Sequence, residues 1–166
     1  MTEHNTQKPQ EVFIKMVLDA WRSKVSQFDM LLSELSDEQL GKEVAPGRNR
    51  GTYLLGHLTS LADSIFPLLG YEKSAPHLWK PFVQLPDRVD DDVPGAKALR
   101  QEWIKVRGAL EERITTIGTE EWFRKHTAIS AEDFEKEPHR NKLNVILSRV
   151  SHLDYHLGQL QFLKNR

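Results

Sequence analysis

The chain contains no cysteine in its 166 residues. That excludes disulfides, thiolate metal sites and a cysteine nucleophile, so any metal must be held by histidine and oxygen ligands. No apolar run approaches the roughly 20 residues that a membrane span needs. An excess of one charge is also missing. Lys and Arg total 23 against 24 Asp and Glu, a formal net charge of −1, which offers no electrostatic footprint for nucleic acid or an anionic membrane. Blocks such as Asp90-Asp91-Asp92 read as solvated loop. Strand patterning, internal repeats and low-complexity segments are absent. Met1 to Gln10 is polar and has no apolar stretch of the secretory kind, so a flexible tail over residues 1–10 and a cytoplasmic address are expected. With 39% hydrophobic and 28% charged residues, the chain has an ordinary globular composition. Residues 11–166 are expected to form a single domain, large enough to bury about two-thirds of its unfolded surface.

Four segments carry helical periodicity. The first spans Glu11 to Leu35, with Phe13, Val17, Trp21, Phe28, Leu31 and Leu35 along one stripe. Ser36-Asp37-Glu38-Gln39 has the form of a capping box, and Ala45 to Asn49 reads as loop. The second helix spans Gly51 to Leu69, with Leu54, Leu58, Leu61, Ile65 and Leu68 as its stripe and Gly70 as its stop. About 25 residues follow, with Pro76, Pro81, Pro86 and Pro94 and little periodicity; a link of that length inside a domain crosses the molecule or covers a site. The third helix spans Gly95 to Ile117, and Thr119 to Trp122 adds a turn. Lys125 to Arg140 is polar and reads as loop, and the fourth helix spans Asn141 to Lys164. The expected fold is all-α: a four-helix bundle with a long crossover between helices 2 and 3.

The fourth helix carries His152-Leu-Asp-Tyr-His156-Leu-Gly-Gln159. At about 100° per residue, His156 lies about 40° from His152 and Gln159 about 20° on the other side, so the three share one face. Val145 and Leu163 fall in the same column, which sets a polar layer between apolar ones. Unsatisfied buried imidazoles cost roughly 1–3 kcal/mol, so these need partners. Two histidines at i, i+4 can offer two nitrogens to one divalent ion. Random placement of seven histidines yields about 0.3 such pairs, so the spacing alone does not choose between a metal, a surface pair and core histidines bonded to helix carbonyls. Of the others, His4 falls in the tail, and His77, His126 and His139 fall in loops and read as solvated. His57 alone lies on a helix at an apolar edge, either as a satisfied core histidine or as a third ligand.

Leu54-Leu55-Gly56-His57-Leu58 together with His152-Leu-Asp-Tyr-His156-Leu-Gly-Gln159-Leu160 resembles the DinB-like superfamily of helical bundles. Leu35-Ser-Asp-Glu-Gln-Leu40 fits the link that this family carries between its first two helices, and the likeness extends over nearly the whole chain. The resemblance implies a three-histidine divalent-metal site on His57, His152 and His156, with zinc or nickel as the ion, and a homodimer in many members. It also implies, among the family's enzymes, transferases and isomerases that use low-molecular-weight thiols such as bacillithiol, mycothiol or glutathione. No residue pattern assigns this chain to one of those branches. A non-catalytic, stress-related binder of a metal or small ligand, and a bundle with purely structural histidines, remain as alternatives.

Three neutral imidazoles plus an open position resemble catalytic rather than structural coordination. Such a site lowers the pKa of a thiol or water taken at the open position, supplying the nucleophile that a cysteine-free chain lacks. The expected activity is therefore thiol S-transfer or a related isomerising or hydrolytic step on a small molecule. Gln159 reads as a polar residue bridging helix four and a neighbour, with orienting a ligand or bonding a metal-bound water as the alternative. Arg149 reads as a solvated shoulder residue, with a substrate carboxylate as its alternative partner. Trp79 and Phe82 are expected at a pocket mouth or as anchors of the crossover; Asp154 and Tyr155 point away from the histidine column.

Overall fold

Pro9 opens the first helix, α1 (Pro9–Glu34), two residues ahead of the expected Glu11. A proline suits the first helical position, where its missing N–H has no partner to lose. The computed structural model describes residues 8–90 and 92–165, so His4, Asp91 and residues 1–7 of the expected tail lie outside the described residues. The regular structure of the described residues is all helical, with no strand beyond two isolated bridges, Glu43 with Arg50 and Lys125 with Asn141. The inward face of α1 is Ile14, Val17, Leu18, Trp21, Phe28, Leu31 and Leu32. Phe13 is not on it: this ring is 48% exposed, because Ile14, about 100° away, takes the inward position. At the far end of α1, Arg100 donates to the carbonyls of Leu32 (2.5 Å) and Leu35 (2.6 Å), satisfying acceptors that the helix leaves open.

Ser36 and Gln39 form the expected capping box at the start of α2 (Asp37–Leu40). The second long helix is not continuous. α3 (Gly51–Asp63) ends at Ser64, and α4 (Ile65–Leu69) follows. Pro67 is the cause: it has no N–H to donate to the carbonyl of Asp63, and its ring would collide with that carbonyl in an unbroken helix. Gly70, at φ 94°, closes α4 in the left-handed region where glycine carries no Cβ penalty.

The crossover contains a 3₁₀ turn (Pro76–Leu78) and a π turn (Lys80–Gln84), then leads into α5 (Ala96–Ile114). It runs antiparallel to α3 and is pinned along its length. Asp63 accepts from the backbone N–H groups of Ser74 (2.6 Å) and Ala75 (2.9 Å). Tyr53 donates its hydroxyl to the Leu85 carbonyl at 2.9 Å. Asp87 meets the Arg50 guanidinium at 2.6 Å and also accepts from the Arg50 backbone N–H. After α6 (Thr119–Trp122), the stretch expected as loop holds a further short helix, α7 (Ala131–Lys136). Ser130 caps it, but it buries no residue, and a helix without an apolar face leaves no periodic signal. Asn141 caps α8 (Lys142–Leu160), which passes into a 3₁₀ turn (Gln161–Asn165) before the expected end at Lys164.

α1 packs along α8, α3 packs along α5, and α3 also meets α8. One continuous apolar cluster joins these helices, α2, the crossover and the C-terminal turn. Trp103 of α5 lies edge-on to Phe28 of α1 at 4.8 Å and donates its indole N–H to Asp29 at 2.7 Å. That satisfies the one polar atom of a buried tryptophan. The contact between α3 and α8 brings the histidines together.

Candidate metal centre

His57 on α3 faces His152 and His156 on α8. The Nε2 of His152 is 3.2 Å from that of His57 and 3.1 Å from that of His156. One ring nitrogen from each residue lies within 4.8 Å of the other two, and among the described residues no other histidine, aspartate or glutamate joins such a group. The outward nitrogens are held. His57 donates from Nδ1 to the Phe82 carbonyl at 2.7 Å, since a carbonyl can only accept. His156 Nδ1 is 2.7 Å from Gln159 Oε1. With both Nδ1 atoms as donors, the Nε2 atoms of His57 and His156 carry lone pairs that point at His152. A single N–H on His152 would face only one of them well, leaving nitrogen lone pairs opposed across the remaining gap. A cation resolves that arrangement. Nitrogens bound at 2.0–2.1 Å to one tetrahedral ion stand about 3.3 Å apart, close to the separations seen here, and outward N–H groups given to a carbonyl or amide oxygen are the usual support for ligating histidines.

The electrostatics agree with this chemistry. Burial pushes His152 down to about 4, with the neighbouring His156, His57 and Arg149 charges adding to the effect. Burial also lowers His57, against the Phe82 hydrogen bond, with Arg149 contributing. His156 is lowered by burial, partly offset by the Gln159 bond and reinforced by His57. All three rings are therefore neutral near pH 7, the state that binds metal.

The supporting shell comes from the crossover and from α3 itself. The Tyr53 ring stacks on His57, with centroids 6.2 Å apart and planes 12° from parallel. Phe82 is buried, and its ring fills the space beside Gly56: a Cβ there would lie 2.5 Å from it. The glycine allows the crossover to approach closely enough for the Phe82 carbonyl to reach His57. Tyr53 and Phe82 also border a cleft of about 270 Å³. Within it Arg50 is paired with Asp87, and Arg88 is hydrogen-bonded to Glu43. Burial opposes the Asp87 charge, but the Arg50 hydrogen bonds and charge hold its carboxyl below the usual range.

The remaining residues singled out in the sequence divide clearly. His77 is exposed and 3.8 Å from Glu102, His126 accepts from the Ala128 N–H, and His139 is exposed; none approaches the cluster. The Lys73 ammonium lies 3.9 Å from the centre of the Trp79 ring, a contact within the crossover itself. Asp154 pairs with Lys24 of α1, and Tyr155 is exposed. Two readings need correction. Among the described residues Gln159 bonds no neighbouring helix; it orients His156 from within α8. Arg149 is no solvated shoulder residue but is half-buried, because its guanidinium reaches across to Ser64 at the α3–α4 break, 3.2 Å away. Two features escaped the sequence altogether: the Phe82 carbonyl, because a backbone acceptor leaves no residue signature, and the Tyr53 ring, whose only sequence signal is its place one turn before His57.

Comparison with known proteins fits this architecture. A solved structure described as a conserved protein from Enterococcus faecalis superposes with a TM-score of 0.63 at 14% identity, covering 90% of this chain and 94% of that one. At that identity the likeness speaks for the fold alone. No curated protein matches the chain. A family model described as the DinB superfamily matches residues 20–160, and the chain belongs to that superfamily.

Proposed function

We propose that the protein is a divalent-metal-dependent member of its superfamily, with His57, His152 and His156 as the ligands and zinc or nickel as the ion. In this reading α1, α3 with α4, α5 and α8 are the rods of a four-helix bundle, and residues 11–166 act as one domain. The observation that carries the proposal is the convergence of three Nε2 atoms, two of them fixed as acceptors by outward Nδ1 hydrogen bonds. When bound, such an ion lowers the pKa of a thiol or water taken at its open position, so that the nucleophile forms near neutral pH.

The proposed activity is S-transfer from a low-molecular-weight thiol, or a related isomerising or hydrolytic step. In transfer, the thiol sulfur forms a bond to an electrophilic carbon, its proton passes to solvent, and the leaving group departs with the electron pair of the broken bond. The chain's own residues hold the geometry for this. Phe82 and Gln159 fix the rings of His57 and His156, Tyr53 covers one face of His57, and each neutral imidazole keeps one nitrogen lone pair. The test is metal content by elemental analysis of untagged protein, then turnover of a panel of thiols and electrophiles. We expect about one divalent ion per chain, strongly reduced in H57A, H152A and H156A while the helical circular dichroism persists, because the apolar core does not depend on the ion. Metal-free wild-type protein from metal-replete medium would overturn the site. Thiol binding without turnover of any electrophile would make the protein a binder rather than an enzyme.

A further inference from the structure

Arg149 is one turn ahead of His152 on α8, and the two side chains line the same small hollow with Trp21, Leu58, Leu61, Ala62, Trp103 and Leu153. The walls are otherwise apolar. A guanidinium carries five N–H donors and a permanent charge, yet this one makes a single side-chain hydrogen bond, to Ser64. Its Nε is fully buried without an acceptor, and no described carboxylate pairs with it. Five other arginines that cross between elements are used differently: Arg22, Arg50, Arg88, Arg100 and Arg107 each meet an acidic side chain. A half-buried cation with unused donors is costly unless something anionic completes it. Its position beside His152 also adds positive charge to a site already built for a cation, which no structural need of the α3–α4 break requires; a neutral amide would serve Ser64 as well.

We propose that Arg149 is the recognition residue for a carboxylate on the small molecule taken at the three-histidine site. The inference rests on the metal reading above and adds the substrate class: a short acid whose carboxylate lies a few bonds from the atom that reaches the ion. The hollow, about 10 Å³, admits about one water-sized group. That accommodates a carboxylate oxygen. A planar carboxylate also matches the fork of a guanidinium.

The test uses full-length protein loaded with Co(II), whose d–d bands report metal binding and whose sulfur-to-cobalt charge-transfer band reports a bound thiol. Mercaptoacetate and 3-mercaptopropionate are titrated against their uncharged amides. We expect at least one acid to bind about tenfold or more tightly than its amide in the wild type, and that preference to vanish in Arg149→Gln with amide affinity and d–d bands retained. Arg149→Lys, keeping the charge but not the fork, should recover part of it. Equal wild-type affinity for acid and amide would overturn the inference without any variant. A preference that survives in Arg149→Gln would assign it to the ion's own charge and overturn the role of Arg149. Absence of d–d bands in the wild type would instead bring down the metal reading, and this inference with it.

Discussion

In the proposed metal centre His152 stands between the other two rings: its Nε2 is flanked by two imidazole nitrogens, and burial pushes its ring down to about 4. Its two neighbours are aimed by groups that do not touch the centre. Gln159 is the clearer case, since its oxygen accepts from His156 Nδ1. Removing such an outer partner typically lowers metal affinity by about 10–100-fold. Gln159→Ala is therefore expected to weaken Zn(II) binding by that factor in a chelator-competition titration. Gln159→Glu, which can only accept, should retain or tighten it. Weaker binding in Gln159→Glu than in Gln159→Ala would mean that Gln159 donates to the ring and that the inferred tautomer is wrong.

At the scale of elements, the site depends on a close approach between α3 and the crossover. Gly56 makes that approach possible. In an exposed helix interior, replacing glycine by alanine adds about 1 kcal/mol of stability, but here the new methyl would lie 2.5 Å from the Phe82 ring. Overpacking of this kind costs about 1–3 kcal/mol, and relieving it displaces the segment whose carbonyl holds His57. Gly56→Ala is expected to lower the denaturant midpoint and to weaken metal binding together. A Gly56→Ala protein as stable as wild type with unchanged metal affinity would show that the crossover can shift without consequence for the centre. The break at Ser64 belongs to the same scale. Pro67 ends α3, and Arg149 of α8 reaches the buried Ser64 hydroxyl there.

For the whole molecule, the buried imidazoles link stability to pH. Their values in the fold lie below the unfolded value of about 6.5, with His152 at about 4. Between those limits the unfolded chain binds more protons than the native one, so stability rises with pH across the window and is lost as pH falls through it. The metal-free protein should therefore melt at progressively lower temperature from pH 7 to pH 4. A triple variant with glutamine at 57, 152 and 156 should show a shallower decline, the remainder including His126, which burial also lowers. Parallel melting curves for the two proteins over that range would contradict the neutral, half-buried state of the cluster. The all-helical character, the long helices, the capping box and the i, i+4 histidine pair were legible because each is local: periodicity, cap chemistry and side-chain spacing act within a few residues. The stretch holding α7 was not legible, since a surface helix with no apolar face has no periodic signal, and Phe13 was misplaced because a stripe drawn by spacing tolerates a one-residue slip. Composition and spacing alone were enough to name the candidate ligand types, to put them on their helices and to rule out cysteine chemistry in the chain. That His57 meets the pair, that the Phe82 carbonyl aims it and that Arg149 is drawn inward beside His152 came from the packing. Those are relations between elements far apart in the chain, set by packing, where one proline and one glycine decide how closely backbones approach.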